Sequence, residues 1–201
     1  CFICLKPLTK IDAKTTQNVS NLTSSAATTS NEEGAVVTCG DWKWITDERN
    51  RSGWQSDQAG SIIRFRLKIG NKPTISLNYM KSWQRFGNLR LIFLPVRRGA
   101  SSSTPPLLRC GDVISGNQKD EDNGMMPSII LDGKAAEFSL WEAIVFPNQH
   151  ARYDLNTARY WAYMNRTILS EKDVEYVDVY VMNPNNDTDR RRIKIQSVQS
   201  C

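Results

Sequence analysis

Within residues 61–69, apolar and polar side chains alternate without interruption from Ile63 onward, and this pattern constrains the fold more than any other feature of the sequence. Ile63, Phe65, Leu67 and Ile69 occupy every second position, and Arg, Arg and Lys lie between them. Two residues is the period of a β-strand, since successive side chains point to opposite faces of a sheet. The stretch therefore predicts a strand with one buried face and one solvated face.

Other short segments repeat this pattern and are separated by turns rich in Gly, Asn and Pro. No long helical period competes with them, except that 137–146 is predicted as a strand followed by a short helix or bend. The sequence thus predicts an all-β fold, an antiparallel β-sandwich of jelly-roll-like type. Further strands are predicted at 74–80, 89–96, 128–131, 157–169, 174–182 and 192–198, with a bulge before Val198.

Two segments have the wrong composition for a sheet. Residues 10–38 are rich in Thr, Ser, Asn and Ala, which bury little apolar surface. We therefore predict a disordered, glycosylated N-terminal arm at 1–35 and a sandwich domain at 36–201. Residues 97–127 form one long loop insertion between strands, a length that is typical of functional or disordered loops.

The charge is mildly basic, at +5 over 201 residues. The basic clusters are short and lie beside predicted strand ends, whereas a nucleic-acid site needs a broader basic stripe. No window approaches the roughly 18 apolar residues of a membrane-spanning helix. We predict no nucleic-acid partner, no direct membrane span and no cofactor.

Five cysteines and five Asn-x-Ser/Thr sequons favour a secreted or cell-surface glycoprotein, although idle thiols in a cytosolic chain remain an alternative. The first and last strands of a sandwich often lie side by side, so we predict a Cys39–Cys201 disulfide. Cys110 would pair with Cys4 or Cys1, and the odd cysteine would bond another chain. Cys1-x-x-Cys4 lacks a second pair of ligands, so no metal site is predicted. The predicted glycosylation sites are Asn18, Asn21, Asn50, Asn165 and Asn186.

Four of the six tryptophans lie between residues 42 and 96, where the aromatic residues either fill the core or form a platform on which sugar rings stack. Both interpretations stay open. As a platform, the tryptophans and a tyrosine would contact the sugar, and nearby charged groups, including Asp47 and Glu48, would bind its hydroxyls. The candidate glycan contacts are Trp42, Trp44, Trp54, Tyr79, Lys81, Trp83 and Arg85.

Several of these residues also carry a family resemblance. The Trp-x-Trp-x-x-Asp-Glu motif at 42–48, the Leu-x-Tyr-Met-Lys-Ser-Trp-x-x-Phe-Gly motif at 77–87, and segments 138–142 and 192–198 resemble the accessory β-sandwich domain of plant and algal secreted SGNH-hydrolase-like surface proteins. The resemblance implies a non-catalytic domain, with the hydrolase part outside this chain.

No catalytic constellation is visible in the sequence. His150 is the only histidine, and no Gly-x-Ser-x-Gly nucleophile motif is present. We therefore predict a non-catalytic extracellular domain that acts in a surface assembly, by binding glycans or other glycoproteins. The alternative is a carbohydrate-active enzyme, an esterase or glycosidase, or an accessory domain of one. Its glycosidase form would need two carboxylates to meet in space, chosen from Asp47, Glu48, Glu137 and Glu142.

Overall fold

Two antiparallel sheets form the fold over the residues that the computed structural model describes, which are 9–11, 34–69, 74–97, 128–146, 174–187 and 189–200. Every regular element in these ranges is a β-strand. None of the described segments contains a helix long and apolar enough to cross a membrane. The strands are β1 (Thr9–Ile11), β2 (Gly34–Cys39), β3 (Lys43–Thr46), β4 (Ser52–Ser56), β5 (Ile62–Lys68), β6 (Ile75–Lys81), β7 (Leu89–Arg97), β8 (Ile129–Leu131), β9 (Leu140–Phe146), β10 (Val174–Met182) and β11 (Ile193–Ser200).

The first sheet, called sheet I here, has the strand order β3-β4-β11-β6-β9, and β1 pairs with the C-terminal part of β11. The second, sheet II, has the order β2-β5-β10-β7-β8. Apolar side chains from both sheets form one core between them. Phe93 of sheet II and Phe146 of sheet I meet in that core edge to face, with ring centroids 5.4 Å apart. The predicted all-β antiparallel sandwich is confirmed.

The alternation at 61–69 predicts the core side of β5 correctly. Phe65 and Leu67 are fully buried, and they face Val179 and Val177 of β10 across the pair. The other side differs from the prediction, because Arg66 is buried rather than solvated. Its guanidinium donates two hydrogen bonds of 2.7 Å to the buried carboxylate of Asp178 on β10, which offsets the cost of removing both charges from water.

Other strand predictions were tested by the register. The predicted bulge in β11 is confirmed between Ile195 and Ser197. The segment 137–146, predicted as a strand followed by a short helix or bend, has the reverse order: a bend precedes β9, which is a continuous strand paired along its length with β6. Three residues of the predicted arm, Thr9–Ile11, pair with β11 as β1. The predicted strand at 157–169 and the loop at 98–127 lie outside the described residues.

The premise of the Cys39–Cys201 pairing is wrong. Cys39 lies in sheet II, opposite Ile62 at one end of β5, whereas β11 belongs to sheet I and has β1 as its neighbour. Ser200, at the end of β11, hydrogen-bonds the carbonyl of Lys68 at the opposite end of β5. Cys1, Cys4, Cys110 and Cys201 fall outside the described residues, so both disulfides stay predictions.

Candidate functional site

A groove of about 790 Å³ lies on the face of sheet I that points away from the core. Gln55, Lys194 and Met80 form its floor, one from each of β4, β11 and β6. Each of them is adjacent in its strand to a core residue (Trp54, Ile195 and Tyr79, respectively) and points to the other face, because alternate side chains of a strand point to opposite faces. Gln55 pairs directly with Lys194 in the register of β4 and β11. The strand period therefore sets a row of polar and flexible side chains beneath the groove.

The hairpin between β3 and β4 forms one wall, and Asp47 organises it. One carboxylate oxygen of Asp47 accepts hydrogen bonds of 3.0 Å from the backbone amides of Arg49 and Arg51. The other accepts a 2.8 Å hydrogen bond from Nε of Arg51. This is an Asx-type turn, in which a side chain satisfies the amides of a tight reversal. Asn50 takes a left-handed φ of 56° at its tip.

Lys194 links this wall to the floor. Its Nζ donates a 2.6 Å hydrogen bond to the carbonyl of Arg51 and lies 3.5 Å from the Asp47 carboxylate. Only 1% of the residue is exposed. Burial lowers the pKa of Lys194, and the charge of Asp47 only partly offsets that effect. Burial raises the pKa of Asp47, but the two backbone hydrogen bonds and the neighbouring cations outweigh it, and the net pKa is below the usual value.

Two exposed aromatic residues stand on the opposite wall. Trp83 is 58% exposed and Phe138 is 62% exposed, and both line the groove. Trp83 lies two residues after the end of β6 and Phe138 two residues before the start of β9, and the Ser82 and Ser139 hydroxyls between these positions and the strands are 2.6 Å apart. The register therefore places Trp83 and Phe138 opposite one another, as cross-strand neighbours at the mouth of the groove.

The loop that carries Trp83 is fastened to β11. The amide of Arg192 donates a 2.8 Å hydrogen bond to the carbonyl of Arg85, and the amide of Gly87 donates a 3.0 Å hydrogen bond to the carbonyl of Arg192. Phe86, between them, is buried. The side chain of Arg192 also holds Asp57 beside β4, with hydrogen bonds of 2.7 and 3.3 Å. Arg192 thus connects the aromatic wall to the strand that leads to the hairpin wall.

Three charged side chains of the groove, unlike its other charged side chains, have no hydrogen-bond or ion-pair partner among the described residues. Glu48 and Arg49 on the hairpin and Glu137 on the aromatic wall are all exposed. Their side chains make no hydrogen bond or ion pair with any other residue in the described ranges. These groups are available to a ligand, whereas Asp47, Lys194 and the two paired arginines already satisfy each other.

Most of the predicted aromatic glycan contacts are buried in the structure, and one of them lines the groove. Trp42, Trp54 and Tyr79 are only 6%, 8% and 2% exposed and belong to the core, so their rings present no face to a ligand. Trp44 is half-buried and packs edge-on against Trp54, with centroids 5.8 Å apart. These four residues form no flat platform, and core packing, the other interpretation of the sequence, describes them. Only Trp83 among the predicted aromatic contacts lines the groove.

The predicted cationic contacts also lie elsewhere. Lys81 forms a 3.2 Å ion pair with Glu142 on β9 and does not line the groove. Arg85 is exposed beside the groove, in a left-handed conformation with φ 58°. Asp47 and Glu48, predicted as polar contacts, do line it.

Sequence reasoning missed most of the lining residues, among them Phe138, Lys194 and Arg192. Phe138 follows the apolar alternation of β9, which predicted it inward, but it lies beyond the last paired residue and emerges into solvent. Lys194 and Arg192 alternate with Ile193 and Ile195 along β11, so that period was the available signal for their outward position. The period does not say which outward residues share a groove.

In the part of the chain that the structure describes, no group of three or more His, Cys, Asp or Glu side chains is placed to hold a metal ion. The carboxylates of the groove are divided between its two walls, and Asp47 is already saturated by hydrogen bonds. The arrangement suits hydrogen bonding and ring stacking with an organic ligand.

The sequence matches no protein-family model and no curated protein. Weak structural likeness extends to carbohydrate-active enzymes: two structures of a two-domain esterase (CEX) active on acetylated mannans, one of them co-crystallised with mannopentaose, and a family GH115 4-O-methyl-α-glucuronidase, BtGH115A.

The two esterase structures are 14% and 15% identical to this chain, with TM-scores of 0.41 and 0.42, and the matches cover 84% and 85% of it. The glucuronidase is 6% identical over 89% of the chain, with a TM-score of 0.35. The chain spans 34% of the length of each esterase chain and 19% of the glucuronidase chain. At these values the likeness gives no basis for transferring a function.

Proposed function

We propose that this chain is a non-catalytic domain that binds a glycan in the groove on sheet I. The observation that carries the proposal is the pair of exposed aromatic side chains, Trp83 and Phe138, facing a polar wall and floor in one groove. Large apolar side chains are costly to leave in water, and a pair of them at a groove marks an interaction site more often than chance exposure.

The asymmetry of the groove suits a sugar ring. The C–H faces of a pyranose pack on aromatic rings, while its hydroxyl groups need hydrogen-bond partners around the edge. Trp83 and Phe138 supply the first kind of contact. Glu48, Arg49 and Glu137, which have free hydrogen-bonding capacity in the described structure, supply the second. Lys194 and Asp47 keep the hairpin wall in place.

Binding measurements on purified protein test this proposal. Trp83→Ala and Phe138→Ala remove rings that are mostly in solvent, so both variants should fold. Stacking of about 1.4 kcal/mol per ring predicts a roughly tenfold loss of affinity for each, measured by calorimetry with oligosaccharides selected on a glycan array. Ile130→Ala is the matched control, because Ile130 is 55% exposed and lies on sheet II. Equal affinities for all three variants and the unmodified chain would refute the assignment of the groove.

The biological setting that we propose is the secretory pathway and an extracellular or cell-surface assembly. Two of the sequon residues, Asn50 and Asn186, lie in the described part of the chain, and both are exposed in loops where an oligosaccharide transferase has access. The likeness to secreted surface proteins and the odd number of cysteines support the same setting.

Intact-mass analysis of the native protein, before and after deglycosylation and reduction, tests this setting. Glycan mass together with a partner released by reduction would support it. An unmodified chain with five free thiols would remove the extracellular premise.

A glycosidase is the second candidate, because Asp47, Glu48 and Glu137, predicted as its possible carboxylates, line one groove. Glu142 does not, since it pairs with Lys81. Two carboxylates on opposite sides of a sugar are the basic requirement for glycoside hydrolysis. Incubation of the bound oligosaccharide with the protein separates the two functions: release of reducing ends that Glu137→Gln abolishes would favour the enzyme, and an intact oligosaccharide would favour binding alone.

A further inference from the structure

The groove is lined by more cationic than anionic side chains. Among the charged side chains that have no partner in the described residues, however, carboxylates outnumber cations. Arg51 and Lys194 share Asp47, at 2.8 and 3.5 Å. Arg192 pairs with Asp57 at 2.7 Å. These contacts leave few positions for an acidic ligand, because a carboxylate or sulfate would have to displace a protein carboxylate from each cation.

The groups that remain are two carboxylates and one guanidinium. Glu48 stands on the hairpin wall and Glu137 next to Phe138 on the aromatic wall, and neither has a partner among the described residues. Arg49 is the one cation of the groove lining without a partner among the described residues, and it is exposed on the hairpin next to Glu48. A ligand that enters between the walls therefore meets free negative charge on both sides, with exposed aromatic faces beside one of them.

We propose that the glycan recognised here carries protonated amino groups, as de-N-acetylated hexosamine polymers do. This inference rests on the proposed function and specifies its ligand class. An ammonium group forms charge-assisted hydrogen bonds with Glu48 or Glu137, and it is also attracted to the faces of Trp83 and Phe138. Neutral sugars use the rings equally well but leave the carboxylates without an opposite charge. An acidic glycan is repelled by them.

The test compares β-1,4-linked oligomers of glucosamine, N-acetylglucosamine and glucose of equal length, at about pH 5.5, where free carboxylates and amines are both charged. An exposed ion pair contributes up to about 1 kcal/mol, or roughly fivefold in affinity, so two carboxylates predict a preference of about five- to twenty-fivefold for the glucosamine oligomer. The preference should weaken in high salt, since exposed charges are screened.

Two variants locate the effect. Glu48→Gln together with Glu137→Gln keeps the shape and hydrogen-bonding capacity of the walls, and we expect it to bring the affinities for glucosamine and glucose oligomers close together. Asp189→Asn is the matched control: it removes an exposed carboxylate from the loop before β11 that does not line the groove, and it should leave the preference unchanged.

The outcomes separate this inference from the proposed function. Equal or tighter binding of the N-acetylated or glucose oligomer overturns the amino-group inference and leaves glycan binding in place. Absence of binding to all three oligomers also overturns it, and the glycan array with Trp83→Ala then decides on glycan binding itself. A lysine oligopeptide that binds as tightly as the glucosamine oligomer would show that charge alone is recognised, and would contradict recognition of a sugar.

Discussion

Two arginine–aspartate pairs in this fold have similar geometry but opposite exposure, and they predict very different energetic costs when the acid is neutralised. Arg66 and Asp178 join β5 and β10 through two hydrogen bonds of 2.7 Å, and Asp178 is fully buried. Arg192 and Asp57 join β11 to the end of β4 at 2.7 and 3.3 Å, with side chains that are 36% and 43% exposed.

The substitution Asp178→Asn leaves the Arg66 guanidinium buried without its counter-charge. Removal of one partner of a buried pair costs about 3–5 kcal/mol in the free energy of unfolding, because the remaining charge stays desolvated. The substitution Asp57→Asn leaves Arg192 able to recover its hydration, so we expect a loss of less than about 1 kcal/mol. The matched change from a carboxylate to an amide of the same size isolates burial as the variable.

Urea denaturation followed by tryptophan fluorescence measures both values, since Trp42 and Trp54 are buried in the native core and become exposed on unfolding. Circular dichroism confirms that each variant starts from a folded sheet. Equal losses in the two variants would refute the argument that desolvation decides the cost. A loss below about 1 kcal/mol for Asp178→Asn would show that water or another anion reaches the Arg66 guanidinium in solution.

Two further predictions concern the dependence of stability on pH. The pKa of Lys194 is lowered by burial, so the unfolded chain binds more protons than the native chain just below pH 10.5, and the free energy of unfolding should rise with pH there. Lys194→Met should remove this rise, and urea titrations at successive pH values measure it. If the free energy of unfolding of the variant rises with pH as steeply as that of the unmodified chain, the result would contradict a desolvated lysine. Burial, with a smaller contribution from Glu142, raises the pKa of Tyr79, so its contribution to stability is complete below about pH 10 and is lost at higher pH. Tyr79→Phe should reduce that alkaline loss, and ultraviolet absorbance of the variant should lack one late-titrating tyrosinate.

The sequence predicts the sheet positions well wherever one face of a strand is buried. The side chains of Phe65, Leu77 and Val179 follow the two-residue period into the core, as expected for strands that keep one face dry. The period fails on the opposite face of β5, where Arg66 is buried against Asp178. An alternating pattern predicts that a charged side chain is solvated. Only the pairing of β5 with β10 shows that the Asp178 carboxylate lies beside Arg66 and allows its burial.

Backbone turns show a second limit of sequence reasoning. The loop after β6 contains a glycine, Gly87, but its left-handed residue is Arg85. Gly87 is required for a different reason: a Cβ atom there would lie 2.3 Å from the carbonyl oxygen of Arg190. Glycine is needed both for unusual dihedral angles and for close approach of chain segments, and composition alone does not distinguish the two requirements.

The candidate site depends on where strand pairing stops, and that explains why the sequence left the aromatic residues open between core and sugar platform. Trp54 and Tyr79 belong to paired strands and face the core row that runs through Ile195. Trp83 and Phe138 continue the same alternation, but they lie two residues beyond the last pair of β6 with β9, where no second sheet covers them. Periodicity gives the face of a residue while the strand lasts, and beyond the last pair of the ladder it no longer predicts whether a side chain is buried or lines the groove.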